Sequence, residues 1–170
     1  MQIPDQTWNT PEAWRQAQLG LDLTLHRLGG RALALFKQAL DIQGLIISLD
    51  KDLEELCSRT CPWCADSCCK RAEVGYDFRD LLFLHCQQLA LPLGQPKPKA
   101  NQPCALLARQ GCRLPRILRP FMCTWYLCPW QMGLVRESVC KRQRALPAQL
   151  QLIQDKRKEL ESSFFDLLQL

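Results

Sequence analysis

Five thiols fall within thirteen residues, Cys57-Ser-Arg-Thr-Cys61-Pro-Trp-Cys64-Ala-Asp-Ser-Cys68-Cys69. A packed core accepts a cysteine as a small hydrophobe but has no reason to want five so close together. Thiolates separated by two and three residues can converge on one metal ion or cluster, so the spacing points to metal ligation. A second group, Cys104, Cys112, Cys123 and Cys128, lies further along among Arg113, Arg116 and Arg119. Trp125, Tyr126 and Trp130 accompany it, aromatic bulk of the kind that shields a metal site from water.

Composition narrows the metal. The chain has eleven cysteines and two histidines, His26 and His85, so a site of two Cys and two His is a poor fit and an all-cysteine site is expected. All-cysteine sites suit iron–sulfur clusters and structural zinc alike. The surplus of cysteines over one zinc site, with the aromatic shielding, favours iron–sulfur, a 4Fe–4S cluster first, over Zn2+. The polar opening from Met1 to Thr10 does not read as a signal peptide, and no apolar run is expected to span a membrane. A cytoplasmic location without membrane attachment follows as an expectation, and in a reducing compartment an odd number of cysteines argues against a disulfide framework.

Charge is uneven. Residues 1–56 hold five Lys/Arg against eight Asp/Glu, residues 57–145 fourteen against five, and residues 146–170 three against four. A basic middle suggests nucleic acid as a partner. No groove-reading motif accompanies it, and compensation of thiolate charge around a metal is the preferred account. Paired catalytic carboxylates, a Ser–His–Asp set and a phosphate loop are all missing from the pattern, which removes support for hydrolase or kinase chemistry.

The elements that must position these thiols read as mainly helical. One domain, 1–170, is expected: N-terminal helices over 1–56, an irregular cysteine-rich metal-binding middle over 57–130, and a C-terminal helix within 131–170. Thr10-Pro11-Glu12 is a helix start, with Trp14, Leu21, Leu25 and Leu28 on one face, although alternation at Leu19, Leu21, Leu23 and Leu25 also fits a strand. Gly29-Gly30 breaks or bends the segment. Leu35, Ala39, Ile42, Ile46, Leu49, Leu53 and Leu56 form a core-facing stripe that leads to Cys57, with Asp50, Lys51, Asp52, Glu54 and Glu55 on the outer face. Asp77 caps a helix running to about Ala90, in which Cys86 and His85 read as core rather than ligands. Residues 92–103 form an extended, exposed connection rich in proline and lysine. From Pro147 a last helix presents Leu150, Ile153, Leu160, Phe164 and Leu167, with Asp155 to Glu161 opposite. Cys140, among basic residues, has no assigned role.

Several known patterns share pieces of this arrangement. Cys61-x2-Cys64-x3-Cys68 matches part of a ferredoxin run, and Cys57-x3-Cys61-x2-Cys64 resembles the radical S-adenosylmethionine signature. The broader resemblance joins both regions. Cys61-x2-Cys64-x3-Cys68-Cys69, then Cys104-x7-Cys112 and Arg119-Pro120-Phe-Met-Cys123, is similar to the CxxCxxCC (YkgJ-type) cysteine-cluster family, a zinc- or iron-chelating domain. The resemblance covers about residues 57–130 and implies a metal or cluster held by Cys61, Cys64, Cys68, Cys69, Cys104, Cys112 and Cys123, with Cys57 and Cys128 as extras. One branch resembles flagellin lysine N-methylases, which keeps a redox or methyl-transfer enzyme as an alternative. A zinc-stabilised nucleic-acid or protein interaction module is another.

Neighbouring cysteines such as Cys68 and Cys69 do not readily face one tetrahedral metal without strain. One centre drawing on both regions is preferred, and two centres remain the alternative. Arg119 is either a solvated charge or a donor to metal-bound sulfurs.

Overall fold

The computed structural model describes residues 8–65, 67–71, 73–89, 91–96, 103–108 and 111–169, all eleven cysteines among them. The chain is mainly helical. Helix α1 spans Pro11–Leu28 and starts as its sequence dictates, with the Thr10 hydroxyl accepting from the Ala13 amide at 3.1 Å. Trp14, Leu21, Leu25 and Leu28 are its buried face, so the helical period prevails over the strand alternation. Gly29–Ala32 forms one 3-10 turn, and Gly29 takes a φ of 51°, where a side chain would be strained.

Helix α2, Leu33–Thr60, is the organising rod. Its stripe from Leu35 to Leu56 is buried and extends one step further to Thr60, so Cys57 lies inside its last turn rather than beyond its end. α2 packs most extensively on α8, Leu146–Leu168, whose buried positions Leu146, Leu150, Ile153, Arg157, Leu160 and Phe164 recur every three or four residues. Each fully buried leucine along this seam contributes about 1.5–3 kcal/mol. Within Pro11–Trp63, one 18-residue window reaches a mean hydropathy of 1.4 with 33% of it buried. This corrects the expectation that no run is apolar and long enough for a span. A core helix meets the same criterion, and α2 supplies seven buried apolar residues to the core.

Between α2 and α8 lie short elements. A 3-10 turn covers Cys61–Trp63, α3 is Cys68–Arg71 and α4 is Phe78–Cys86. A two-residue hairpin pairs β1, Leu107–Ala108, with β2, Gly111–Cys112, in antiparallel register Leu107 to Cys112. A 3-10 turn at Arg116–Leu118 follows, then α5, Met122–Trp125, α6, Pro129–Glu137, and α7, Lys141–Arg144. The C-terminal region is therefore three helices instead of one. Gly111 has φ 116°, a backbone that favours glycine as the strand pair turns.

α4 is the second organiser. Asp77 and Asp80 form a reciprocal capping box, with Asp80 N–H donating to Asp77 at 2.8 Å and Asp77 N–H to Asp80 at 3.0 Å. Leu81, Leu82, Phe83, Leu84 and Cys86 are all buried because α4 is packed by α1, α2 and α8. The helix stops at Cys86, with Gln88 in the left-handed region at φ 52°; the expected end near Ala90 lies outside the described residues. Arg157, read from sequence as part of the polar face of α8, is buried. It donates to Asp80 at 2.7 Å and sits over the Phe121 ring, 4.6 Å from its centre.

The middle region is pinned by an aromatic joint. The Tyr76 hydroxyl donates to Leu118 O at 2.6 Å, its backbone N–H to Gln95 Oε1 at 2.7 Å, and its ring meets Trp14 at 5.5 Å. A Cβ on Gly75 would stand 2.9 Å from Gln95 Oε1, so glycine is what lets the two segments approach. Trp14 and Gln18 both donate to Pro92 O, at 2.9 and 3.1 Å. The start of the expected extended connection is thus held against α1. Its residues 97–102 lie outside the described residues.

Candidate metal centre

Two carboxylates of α2 share one face with two thiols. Asp50, Glu54, Cys57 and Cys61 fall at helical spacings of four, three and four residues. Asp50 and Glu54 do not simply face solvent, as the sequence suggests. They hold the Arg116 guanidinium, with Nε to Asp50 at 2.8 Å and Nη2 to Glu54 at 2.6 Å. The Arg116 side chain is 2% exposed while its two carboxylates are 50% and 48% exposed. Asp52, also expected on the outer face, is buried and paired with Arg142. Arg119 reaches Glu54 at 2.9 Å and donates to Leu114 O at 2.8 Å. Its side chain is largely covered, so it is not a solvated charge, and both of these bonds go to oxygen. Three arginines of the basic middle therefore meet carboxylates of α2, Arg116 and Arg119 on one face and Arg142 on another, which gives the charge asymmetry an internal cause.

One turn beyond this clamp, Cys57 and Cys61 face each other. The neighbouring Cys61 thiol, and after it the Arg116 guanidinium, bring the Cys57 thiol down to about 6, against burial, which opposes the charge. The Cys57 thiol, with burial, raises Cys61 in turn. Gln131 of α6 is 6% exposed and lies over the pair, its Nε2 at 3.8 Å from Cys57 Sγ and 4.0 Å from Cys61 Sγ. It also donates to the Thr60 hydroxyl at 3.2 Å, and Gln131 Oε1 accepts from the Cys128 amide at 3.2 Å. Cys128 thus stands at the N-terminus of α6 with its backbone engaged in fixing Gln131. Gln131 and Arg116 are the site residues the sequence reading left without a role. Gln131 lies three residues after Cys128, the capping-box interval, and that spacing was the available signal.

The second pair is Cys68 and Cys69. The adjacent Cys69 thiol lowers Cys68 to about 6, and Cys69 is raised in turn. The two cysteine regions meet here: Cys104 N–H donates to Cys69 O at 2.9 Å. Cys69 lies within electrostatic range of Cys68, Cys123 and Cys104. Cys123 follows Pro120, with its N–H donating to Pro120 O at 2.8 Å. Surrounding protein, then Cys112, Cys104 and Cys68, push its thiol up to about 12, although the residue keeps exposed surface. Cys112 is held on β2 beside this group.

Three further cysteines are Cys64, whose N–H donates to Cys61 O at 3.3 Å, Cys86 and Cys140. Cys64 is half-buried after the 3-10 turn, Cys86 is buried in α4, and Cys140 is exposed before α7. None of the eleven is in a disulfide. Trp125, Tyr126 and Trp130 are 42%, 49% and 45% exposed, and Trp63 is 77% exposed. The expected aromatic shield is therefore open to solvent to a large extent.

As a donor, a thiolate suits a soft or borderline cation. Thiolates are the donors that zinc and iron–sulfur clusters take. Among the described residues, however, no three His, Cys, Asp or Glu side chains are assembled to hold a metal ion. The neighbouring thiol pairs are Cys57 with Cys61 and Cys68 with Cys69. No family model matches the chain, and no curated protein or solved structure matches it.

Proposed function

We propose that the chain is a metal-binding protein that holds an iron–sulfur cluster, or Zn2+, through cysteines of both regions. Cys61, Cys64 and one of Cys68 and Cys69 would come from the first region, and Cys104, Cys112 and Cys123 from the second. The observation that carries this reading is the join at Cys69 and Cys104, where a 2.9 Å backbone bond ties two segments that each bring thiols. The likeness to the CxxCxxCC family rests on the same residues. A bound metal would neutralise the thiolate charge and link the two segments, so binding free energy would also be folding free energy.

Anaerobic purification followed by iron, zinc and acid-labile sulfide analysis tests it. The expected result is iron with sulfide and visible charge-transfer absorption, or zinc alone. Iron together with zinc in one chain would mean two centres. A protein isolated without either metal, whose reduced form also takes up no cobalt(II), would overturn the proposal.

A further inference from the structure

Resting on the metal-binding reading, a second assignment concerns how the first thiol pair is held. Cys57 lies outside the ligand spacing of the later cysteines, yet it shares a helix face with Cys61 and a common neighbour in Gln131. That neighbour is buried, polar and fixed from both ends. Its carbonyl oxygen accepts from the Cys128 amide at 3.2 Å, and its amide nitrogen donates to Thr60 at 3.2 Å. A carboxamide nitrogen has two hydrogens. Here it faces three acceptors, Thr60 Oγ1 and the sulfurs of Cys57 and Cys61. The Thr60 hydroxyl gives its own hydrogen to Leu56 O at 2.7 Å, so towards Gln131 it is an acceptor. One hydrogen is therefore shared between the two sulfurs, and a sulfur that carries charge claims more of it.

We infer that Gln131 is a positioning residue, whose anchored carboxamide holds the sulfurs of Cys57 and Cys61 together as the metal-binding pair at the end of α2. Cys57 is accordingly a ligand in partnership with Cys61, and the Cys128 backbone acts by orienting the amide. Polar groups that hydrogen-bond metal ligands commonly change metal affinity by about 10- to 100-fold when removed.

The test uses the full chain, reduced and freed of metal, in wild-type, Gln131→Leu and Gln131→Glu forms. Gln131→Glu keeps the oxygen that accepts from Cys128 and replaces the donor, which separates anchoring from donation. Cobalt(II) is titrated against a competing chelator, with the sulfur-to-cobalt absorption bands recorded. In parallel, metal-free protein is treated with phenylarsine oxide, a reagent for paired thiols, and the modified cysteines are located by mass spectrometry. Thermal unfolding of each metal-free variant reports folding.

The expected result is cobalt affinity reduced about tenfold or more in both variants. Weaker thiolate-to-cobalt absorption and slower arsenical capture of Cys57 with Cys61 should accompany it, in variants that still unfold cooperatively. If wild-type protein is isolated without iron or zinc and binds no cobalt, the metal reading falls and the positioning role with it. Should Gln131→Leu and Gln131→Glu bind cobalt and the arsenical like the wild type, the positioning role falls while the metal reading stands. If Gln131→Leu does not fold, Gln131→Glu alone decides, and wild-type behaviour from it overturns the inference.

Discussion

Arg116 offers the sharpest test of how the second cysteine region is held to α2. Its guanidinium is buried, and its compensation comes from Asp50 at 2.8 Å and Glu54 at 2.6 Å. Breaking a fully buried ion pair costs about 3–5 kcal/mol, because one charge is stranded. Both carboxylates are about half exposed, so either one can rehydrate, and the surviving partner still serves Arg116. Neutralising one, as Asp50→Asn or Glu54→Gln, should therefore cost about 1–2 kcal/mol. Neutralising both strands the guanidinium and should cost about 3–5 kcal/mol. The excess over the two single changes, about 1 kcal/mol, is the coupling expected for groups sharing one partner. Glu54→Gln also releases Arg119, bonded at 2.9 Å, so it should be the costlier single change. Urea unfolding of the metal-free protein measures each value. Glu55→Gln is the control, since Glu55 meets Arg59 only at 3.9 Å with both side chains about half exposed; it should change stability by less than about 0.5 kcal/mol. A double variant within about 1 kcal/mol of the parent would refute the clamp.

Asp80→Asn should destabilise by about 3–5 kcal/mol in chemical denaturation, because Arg157 and the Phe121 amide both depend on that carboxylate, at 2.7 and 2.9 Å; a loss under about 1 kcal/mol would show the pair to be dispensable. His85 should titrate below the ordinary value of 6.5 by NMR, because burial favours its neutral ring. Its contribution to stability is complete above pH 6.5 and declines as the pH falls towards the folded value, since the unfolded chain takes the proton first. A midpoint at or above 6.5 would contradict this. Cys86, its thiol pushed up to about 12 by burial, should resist alkylation in the native protein while the exposed Cys140 reacts. Equal labelling of the two would mean that α4 opens readily.

The helices were legible because each carries a sustained apolar period with recognisable starts. Thr10 and Asp77 cap where their side chains predict, and the α2 stripe is buried from Leu35 to Leu56. Charged residues were misread where they turn inward. Arg157 occupies the position between Ile153 and Leu160 that period alone assigns to the core, but its charge suggested solvent. Asp50, Asp52 and Glu54 look like a solvated face until arginines some 62–90 residues away arrive to meet them. A local pattern cannot show a distant partner, and a buried charge is recognisable only once that partner is known. The cysteine spacing suggested thiols converging on one site, whereas among the described residues no three metal-ligating side chains come together. The division of the thiols into neighbouring pairs, and the amide over one of them, follow from tertiary placement. The exposed tryptophans show the converse, since aromatic bulk near a site in sequence need not cover it.

The carboxylates that clamp Arg116 and the thiols beside Gln131 are set by one uninterrupted helical phase. Asp50, Glu54, Cys57 and Cys61 are aligned only because α2 runs continuously from Leu33 to Thr60 and passes into the next turn without a break. Inserting one residue between Glu54 and Cys57 would leave every side chain present but turn the thiols by about 100° relative to the clamp. Thr60 would leave the core line at the same moment. The length of chain between acid and thiol is therefore part of the site, as constrained as the residues at its ends.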